Sequence, residues 1–162
     1  MSGFKRVLVW LVFAFVLFAC MWLTRVFLAG RIVALVVSEA NLRAIALVSA
    51  VSALTPGVPL GFAYGLIFPR PVLGRAFSVA LGASVIELAF NTYIVNWWEF
   101  VSWWVLPLEC ATLVVCFPAA AWAGSAVAGR MRPTVGPRVG IALFVLTALG
   151  LVAWPWIAGL SQ

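Results

Sequence analysis

Residues 52–69 read SALTPGVPLGFAYGLIFP. Pro56 and Pro59, together with three glycines, interrupt a stretch that is otherwise apolar enough to enter a bilayer. Proline has no amide donor and clashes with the preceding helical turn, and it drives the residue before it away from helical angles. An unpaired backbone group is costly in lipid, so a break here requires protein, hydroxyl groups or water as new partners.

The rest of the chain has the composition of a membrane protein. Of its 162 residues, 66% are hydrophobic and 9% are charged, and the mean hydropathy is +1.20. A soluble domain of this length cannot bury so much apolar side chain, so the bilayer is the expected solvent. The sequence therefore predicts one all-α integral membrane domain over 1–162.

The ionisable residues exclude several classes of site. Nine Arg and one Lys accompany four Glu, and both His and Asp are absent. Without His, bis-imidazole haem and the usual zinc sites are excluded, and without His or Asp the common catalytic triads and aspartyl dyads are not expected. Three cysteines without a CxxC spacing do not form a disulfide framework. We expect no cofactor and no enzymatic activity.

Five membrane spans are predicted from apolar runs of about 20 residues. They cover 7–29, 44–68, 74–96, 100–129 and 139–160. Glu39 and Arg43 lie four residues apart and favour an amphipathic interfacial helix at 32–43. The alternative is a span at 32–54 followed by a re-entrant hairpin at 56–69, which buries this charged pair at a cost.

Counts of Arg and Lys orient the spans. With a cytoplasmic N-terminus, seven basic residues face the cytoplasm and three lie outside. The seven are Lys5, Arg6, Arg70, Arg75, Arg130, Arg132 and Arg138, and the three are Arg25, Arg31 and Arg43. We predict a multi-pass protein of a prokaryotic inner membrane with an uncleaved first span, its N-terminus cytoplasmic and its C-terminus outside. Topology also explains the net charge of +6 better than nucleic-acid binding, because no basic stripe alternates with aromatics.

Small residues recur every four positions in the second span and again in the third. The strips are Ala53, Gly57, Gly61 and Gly65, and then Gly74, Ser78 and Gly82. Such strips allow close helix packing. Two interpretations stay open: a packing seam with a kink that Ser52 and Thr55 relieve locally, or a broken helix that builds a substrate or ion site. The second interpretation makes site candidates of Thr55, Pro56, Gly57, Pro59 and Gly61.

Two carboxylates are predicted deep in the membrane. Glu87 lies nine residues before Asn96 and Glu109 nine residues after Phe100, so both lie roughly 13 Å below the outer interface. Asn91 lies on the same helical face as Glu87. No cation is expected at this depth, because Arg25 is expected to snorkel towards the interface. Two acids without a cation would share a proton, which suits a proton relay or a cation site.

Two other interpretations of Glu87 and Glu109 stay open. Both acids would be protonated and donate hydrogen bonds across helices without turnover, or they would pair with a partner subunit.

A known family shares part of this pattern between Ser49 and Ile94. The features that match are Pro56-Gly57, Gly61 to Gly65, Gly74, Gly82-Ala83 and Phe90. Their order resembles the re-entrant core of the DedA/VTT (SNARE-associated Golgi) membrane proteins. The resemblance implies a re-entrant hairpin at 56–68 and a function in lipid-carrier translocation or scrambling, often proton-coupled. The chain departs from the family pattern because it lacks an Arg shortly after Phe90 and has no recognisable second half.

The leading functional hypothesis is a small transporter-like or permease-like protein. Its site lies between the broken second span and the two acids, with Asn91 lining it. Glu87 and Glu109 would carry protons or a cation, and carbonyls near Thr55 would help to bind cargo. The alternative is a non-catalytic subunit or assembly factor of a larger membrane complex. The small size of the chain favours a homo-oligomer or a partner membrane subunit in the lipid bilayer.

Overall fold

Every predicted span overlaps an α-helix in the computed structural model, which describes residues 3–35, 42–70, 72–95 and 105–159. The helices are α1 (Gly3–Leu35), α2 (Leu42–Ile67), α3 (Leu73–Phe90), α4 (Val105–Ala128) and α5 (Val135–Gly159). A π-helical turn, Asn91–Val95, continues α3. Each α-helix contains a segment long and apolar enough to cross a membrane, and the described ranges contain no strand. The all-α, multi-pass prediction with five spans is confirmed.

The connection between the first two spans is described only at its two ends. Residues 32–35 continue α1, and α2 already begins at Leu42. The middle of the interfacial helix predicted at 32–43, and of the alternative span at 32–54, lies outside the described residues, so both stay predictions. Glu39 and the cluster of tryptophans after Asn96 lie outside the described residues.

Of the two interpretations of the proline-glycine stretch, the broken helix is wrong. α2 passes through Pro56 and Pro59 as one helix, which excludes the re-entrant hairpin implied by the family resemblance. Each proline removes one amide donor, so the carbonyls of Ser52 and Thr55 lose their usual helical partner four residues on. The surrounding helices keep α2 helical despite this loss, since neighbouring protein is what makes such prolines tolerable in lipid.

The strip of small residues on α2 forms a packing seam against α4. A Cβ atom added to Gly57 would lie 2.6 Å from Cys116 Sγ, and one added to Gly61 would lie 2.5 Å from the carbonyl oxygen of Phe117. Gly65 lies equally close to the backbone of Ala121. The two backbones therefore approach so closely that only glycine fits, as the packing-seam interpretation predicts.

The second strip does not form one seam. Gly82 packs against the ring of Trp10 on α1, whereas Ser78 is exposed and nothing lies near the Cβ position of Gly74. α1 nevertheless lies against both α2 and α3, with Phe13 contacting Tyr64 at a ring-centroid distance of 5.1 Å. Four helices, α1 to α4, thus surround one interior, and α5 packs on the outside of α1 and α2.

Candidate functional site

The interior that α1, α2, α3 and α4 surround contains a cluster of charged side chains. Glu87 on α3 and Glu109 on α4 are each 0% exposed, and Arg25 on α1 is 4% exposed. Arg25 forms ion pairs with both carboxylates, so the two acids meet on adjoining helices around one guanidinium. We call Arg25, Glu87, Glu109 and the two polar residues bound to them, Asn91 and Ser52, the ion cluster.

The position of Arg25 corrects the expectation that the acids have no cation at their depth. The first span was predicted to end at residue 29, but α1 continues to Leu35, so ten residues of helix follow Arg25. This places Arg25 about 15 Å before the end of α1, too far for its side chain to be directed to that end. The guanidinium instead turns towards the two acids, where ion pairs offset the cost of its burial.

The guanidinium uses all three of its nitrogen atoms. Nε donates to Glu109 Oε2 at 2.9 Å, and Nη2 lies 2.6 Å from the same oxygen. Nη2 also donates to Glu87 Oε1, and Nη1 donates to Asn91 Oδ1 at 3.1 Å. The planar fork of arginine suits this set of acceptors, which a lysine ammonium cannot contact from one position.

Asn91 fixes the orientation of Glu87. It begins the π-helical turn, and its Nδ2 donates to Glu87 Oε1 at 2.6 Å and to the main-chain oxygen of Glu87 at 2.7 Å. A π-helical turn inside an α-helix is often found at a functional site. The prediction that Asn91 shares a face with Glu87 agrees with this geometry.

Ser52 was not predicted as a site residue. It lies on α2, the one helix of the four that contributes no charged residue to the ion cluster, and it contacts Glu109. Its Oγ lies 2.6 Å from Glu109 Oε1 and 2.9 Å from the carbonyl oxygen of Ser49. The sequence indicated a role for Arg25 more strongly than one for Ser52. A cation inside a long apolar run requires a partner, and the two predicted buried acids are suitable partners. A serine in an apolar helix has many uses, so Ser52 carried no specific signal.

The candidates of the proline-glycine stretch divide between two places. Gly57 and Gly61 face α4 in the packing seam, and Pro56 is buried. Thr55 instead lines a cavity of about 200 Å³ between α1, α2 and α5. The other residues around this cavity are Leu23, Thr24, Phe27, Val51, Leu151 and Trp154. The role of these candidates in binding cargo stays a prediction.

The charges of the ion cluster do not balance. Two carboxylates and one guanidinium sum to −1 when all three are ionised. An unbalanced charge is expensive in a buried site inside a bilayer. One bound proton or monovalent cation makes the cluster neutral.

One oxygen of the ion cluster lacks a hydrogen-bond partner. Within the described part of the chain, Glu87 Oε2 and the hydroxyl oxygen of Ser84 are both buried and unpartnered. Ser84 lies three residues before Glu87, on the same face of α3. Ser84 was not predicted as a site residue either, and only the burial of both side chains reveals it.

No protein-family model, curated protein or solved structure matches the chain. The resemblance to the DedA/VTT proteins stays a prediction, and the function must be argued from the ion cluster.

Proposed function

We propose that the chain is a small permease-like membrane protein whose ion cluster binds and releases one proton or monovalent cation during transport. One observation carries this proposal: two fully buried carboxylates share a single guanidinium. A cluster that only joined helices would need one carboxylate for one arginine. The second acid destabilises the fold whenever it is ionised, unless a positive charge binds with it.

The position of the cluster supports a link between charge and helix packing. Arg25, Ser52, Glu87 and Glu109 come from α1, α2, α3 and α4 in that order, and each contributes a polar contact. Loss of the bound charge turns a neutral cluster into a negative one at the junction of four helices. A change in that charge therefore alters the forces between helices, as a coupled transporter requires.

The test is proton flux into liposomes that contain the purified protein and an entrapped pH dye, driven by a potassium diffusion potential. We expect flux from the wild type and its loss in Glu87→Gln and in Glu109→Gln. Ser78→Ala, on the exposed face of α3, serves as the matched control and keeps the wild-type flux. No flux from the wild type, or unchanged flux in both glutamine variants, would contradict transport.

The cargo class is a further part of the proposal. The family resemblance implies a lipid carrier, and the apolar cavity near Thr55 and Trp154 has side chains suited to a lipid tail. A fluorescent prenyl-phosphate lipid in the same liposomes tests this, because its transfer exposes the dye to dithionite added outside. Equal bleaching with and without protein would exclude this cargo.

The second candidate is a non-catalytic subunit or assembly factor. The burial of the ion cluster favours this second candidate, because its charged side chains are 4% exposed or less. A closed ion network joins helices without turnover. Mass measurement of the chain extracted in lipid nanodiscs tests this candidate. A fixed stoichiometry with another protein, together with no flux from the isolated chain, favours the subunit, and a homo-oligomer with flux favours transport.

The location and orientation are also proposals, namely a prokaryotic inner membrane with the N-terminus cytoplasmic and the C-terminus outside. The excess of basic residues on the predicted cytoplasmic side supports this orientation. Fusions of a cytoplasm-active fluorescent protein and a periplasm-active phosphatase to the C-terminus test it. Fluorescence without phosphatase activity would reverse the assignment.

A further inference from the structure

The four carboxylate oxygens of the ion cluster are not equivalent. Glu109 Oε2 accepts from two guanidinium nitrogens, and Glu109 Oε1 contacts the Ser52 hydroxyl. Glu87 Oε1 accepts from Arg25 and from Asn91. Glu87 Oε2 has no partner among the described residues, although the side chain is 0% exposed. Three oxygens are thus occupied by donors and one is available.

We propose that the ion bound by the cluster is a proton, that it binds to Glu87 Oε2, and that the hydroxyl of Ser84 accepts the hydrogen bond from it. This inference rests on the proposed function, since it names the ion and its position. A proton on Glu87 Oε2 breaks no existing hydrogen bond. A proton on Glu109 Oε2 or on Glu87 Oε1 competes with the donors that each of these oxygens already accepts from. A proton on Glu109 Oε1 leaves Glu87 Oε2 and the Ser84 hydroxyl unsatisfied, whereas a proton on Glu87 Oε2 satisfies both.

The same count of oxygens favours a proton over a metal cation. Sodium or a larger cation is held by several oxygens at once, as the hard cations of proteins generally are. Here the guanidinium, an amide and a hydroxyl already contact the other three carboxylate oxygens. A proton needs only one oxygen, and it brings the charge of the cluster to zero.

Ser84 completes the position of the proton. Its Oγ is buried and lacks a partner among the described residues, as Glu87 Oε2 does. Residues three apart on a helix are neighbours, so a change of the Ser84 rotamer can bring its hydroxyl to Glu87 Oε2 while Glu87 keeps its contacts with Arg25 and Asn91. The protonated carboxyl then has an acceptor and the serine hydroxyl has a donor, which satisfies both buried groups at once.

The surroundings contain no second base that competes for this proton among the described residues. The charged and titratable groups around Glu87 are Arg25 on α1, and Glu109 and Cys110 on α4. Cys110 Sγ lies 3.8 Å from the carbonyl oxygen of Ser84, where a thiol is a weak donor. Both oxygens of Glu109 contact a donor group of Arg25 or Ser52, whereas Glu87 has one oxygen without a partner among the described residues, and this difference favours Glu87 as the acid that binds the proton.

Infrared spectroscopy of the full chain in lipid tests this proposal, because a protonated carboxyl has its own C=O band, which shifts when the hydrogen bond of that group changes. We expect one such band at neutral pH, sensitive to deuterium exchange and absent in Glu87→Gln. Ser84→Ala shifts the band, whereas Ser52→Ala, the matched control beside Glu109, leaves its frequency unchanged. Replacing sodium by choline has no effect.

Three results would overturn the proposal. A band that shifts in Ser52→Ala but not in Ser84→Ala would place the proton on Glu109. The absence of a protonated carboxyl in the wild type would exclude a bound proton. A band that disappears when sodium is added would indicate a metal cation. These outcomes are independent of transport: the expected band without proton flux supports the proton position and contradicts only the permease.

Discussion

The α2–α4 packing seam and the ion cluster lie in the same bundle and are built in opposite ways. The seam consists of uncharged residues one helical turn apart: Gly61 and Gly65 lie against the backbone of α4, and Gly57 lies against the side chain of Cys116. The ion cluster consists of charges from different helices, with Arg25 62 residues from Glu87 and 84 residues from Glu109. The seam contains no charged side chain, while the ion cluster keeps an unbalanced charge and an oxygen without a partner among the described residues.

This difference suggests that the seam serves the stability of the bundle and that the ion cluster serves its proposed function. Close packing of small residues stabilises helix association in lipid without any charged group. A buried carboxylate in excess of its cations does the reverse, because it reduces stability until a positive charge binds. Three substitutions test the comparison, beginning with the largest expected effect.

Arg25→Met should have the largest effect. It leaves the two buried acids without a cation, and we expect the free energy of unfolding to fall by about 3–5 kcal/mol at neutral pH. The loss should shrink as the pH falls, because protonation of both acids removes their charge. Unfolding in mixed detergent micelles, followed by circular dichroism, measures it.

The triple variant with Arg25→Met, Glu87→Gln and Glu109→Gln is the control for Arg25. Removal of all three charges should restore most of the lost stability, since no unpaired ion remains. Equal stability of Arg25→Met and the wild type at neutral pH would contradict the ion cluster.

Gly61→Ala tests the seam. The added methyl group would lie 2.5 Å from the carbonyl oxygen of Phe117, which is backbone and cannot rotate away. The helices must separate, and we expect a loss of about 1–3 kcal/mol that does not depend on pH. Gly74→Ala, where nothing lies within 4 Å, is the matched control and should behave as the wild type. An equal, pH-independent loss of unfolding free energy in both variants would show that close packing at Gly61 does not specially stabilise the bundle.

Ser52→Ala should have the smallest of the three effects. It removes the hydroxyl beside Glu109 Oε1 but leaves both ion pairs, so the loss should be about 1–2 kcal/mol. Ser78→Ala removes a hydroxyl that donates to the Gly74 carbonyl on the exposed face of α3, and it should cost almost nothing. The same unfolding measurement distinguishes the two. Equal losses would show that Glu109 does not need Ser52.

Sequence reasoning succeeded where a property repeats along one helix. The apolar runs identified five spans, and the four-residue spacing of Gly57, Gly61 and Gly65 identified a seam without naming its partner. It failed at Pro56 and Pro59, because the preference of a proline for a break is local and the neighbouring helices overrode it. It also failed at Arg25, because snorkelling was expected from the position of Arg25 near the end of the predicted span, whereas its partners are acids on two other helices.

The amino-acid sequence by itself determined that this protein is helical and lies in a membrane, since composition and helical periodicity act within each segment. It also identified Glu87, Glu109 and Asn91 as unusual, because ionisable and amide groups are rare at that depth. Only the tertiary structure decided that Arg25 and Ser52 join them and that one oxygen of Glu87 has no partner among the described residues. The physical reason is that a buried charge pairs with whichever group lies near it in space. Residues on helices far apart in the sequence come close only when those helices pack together.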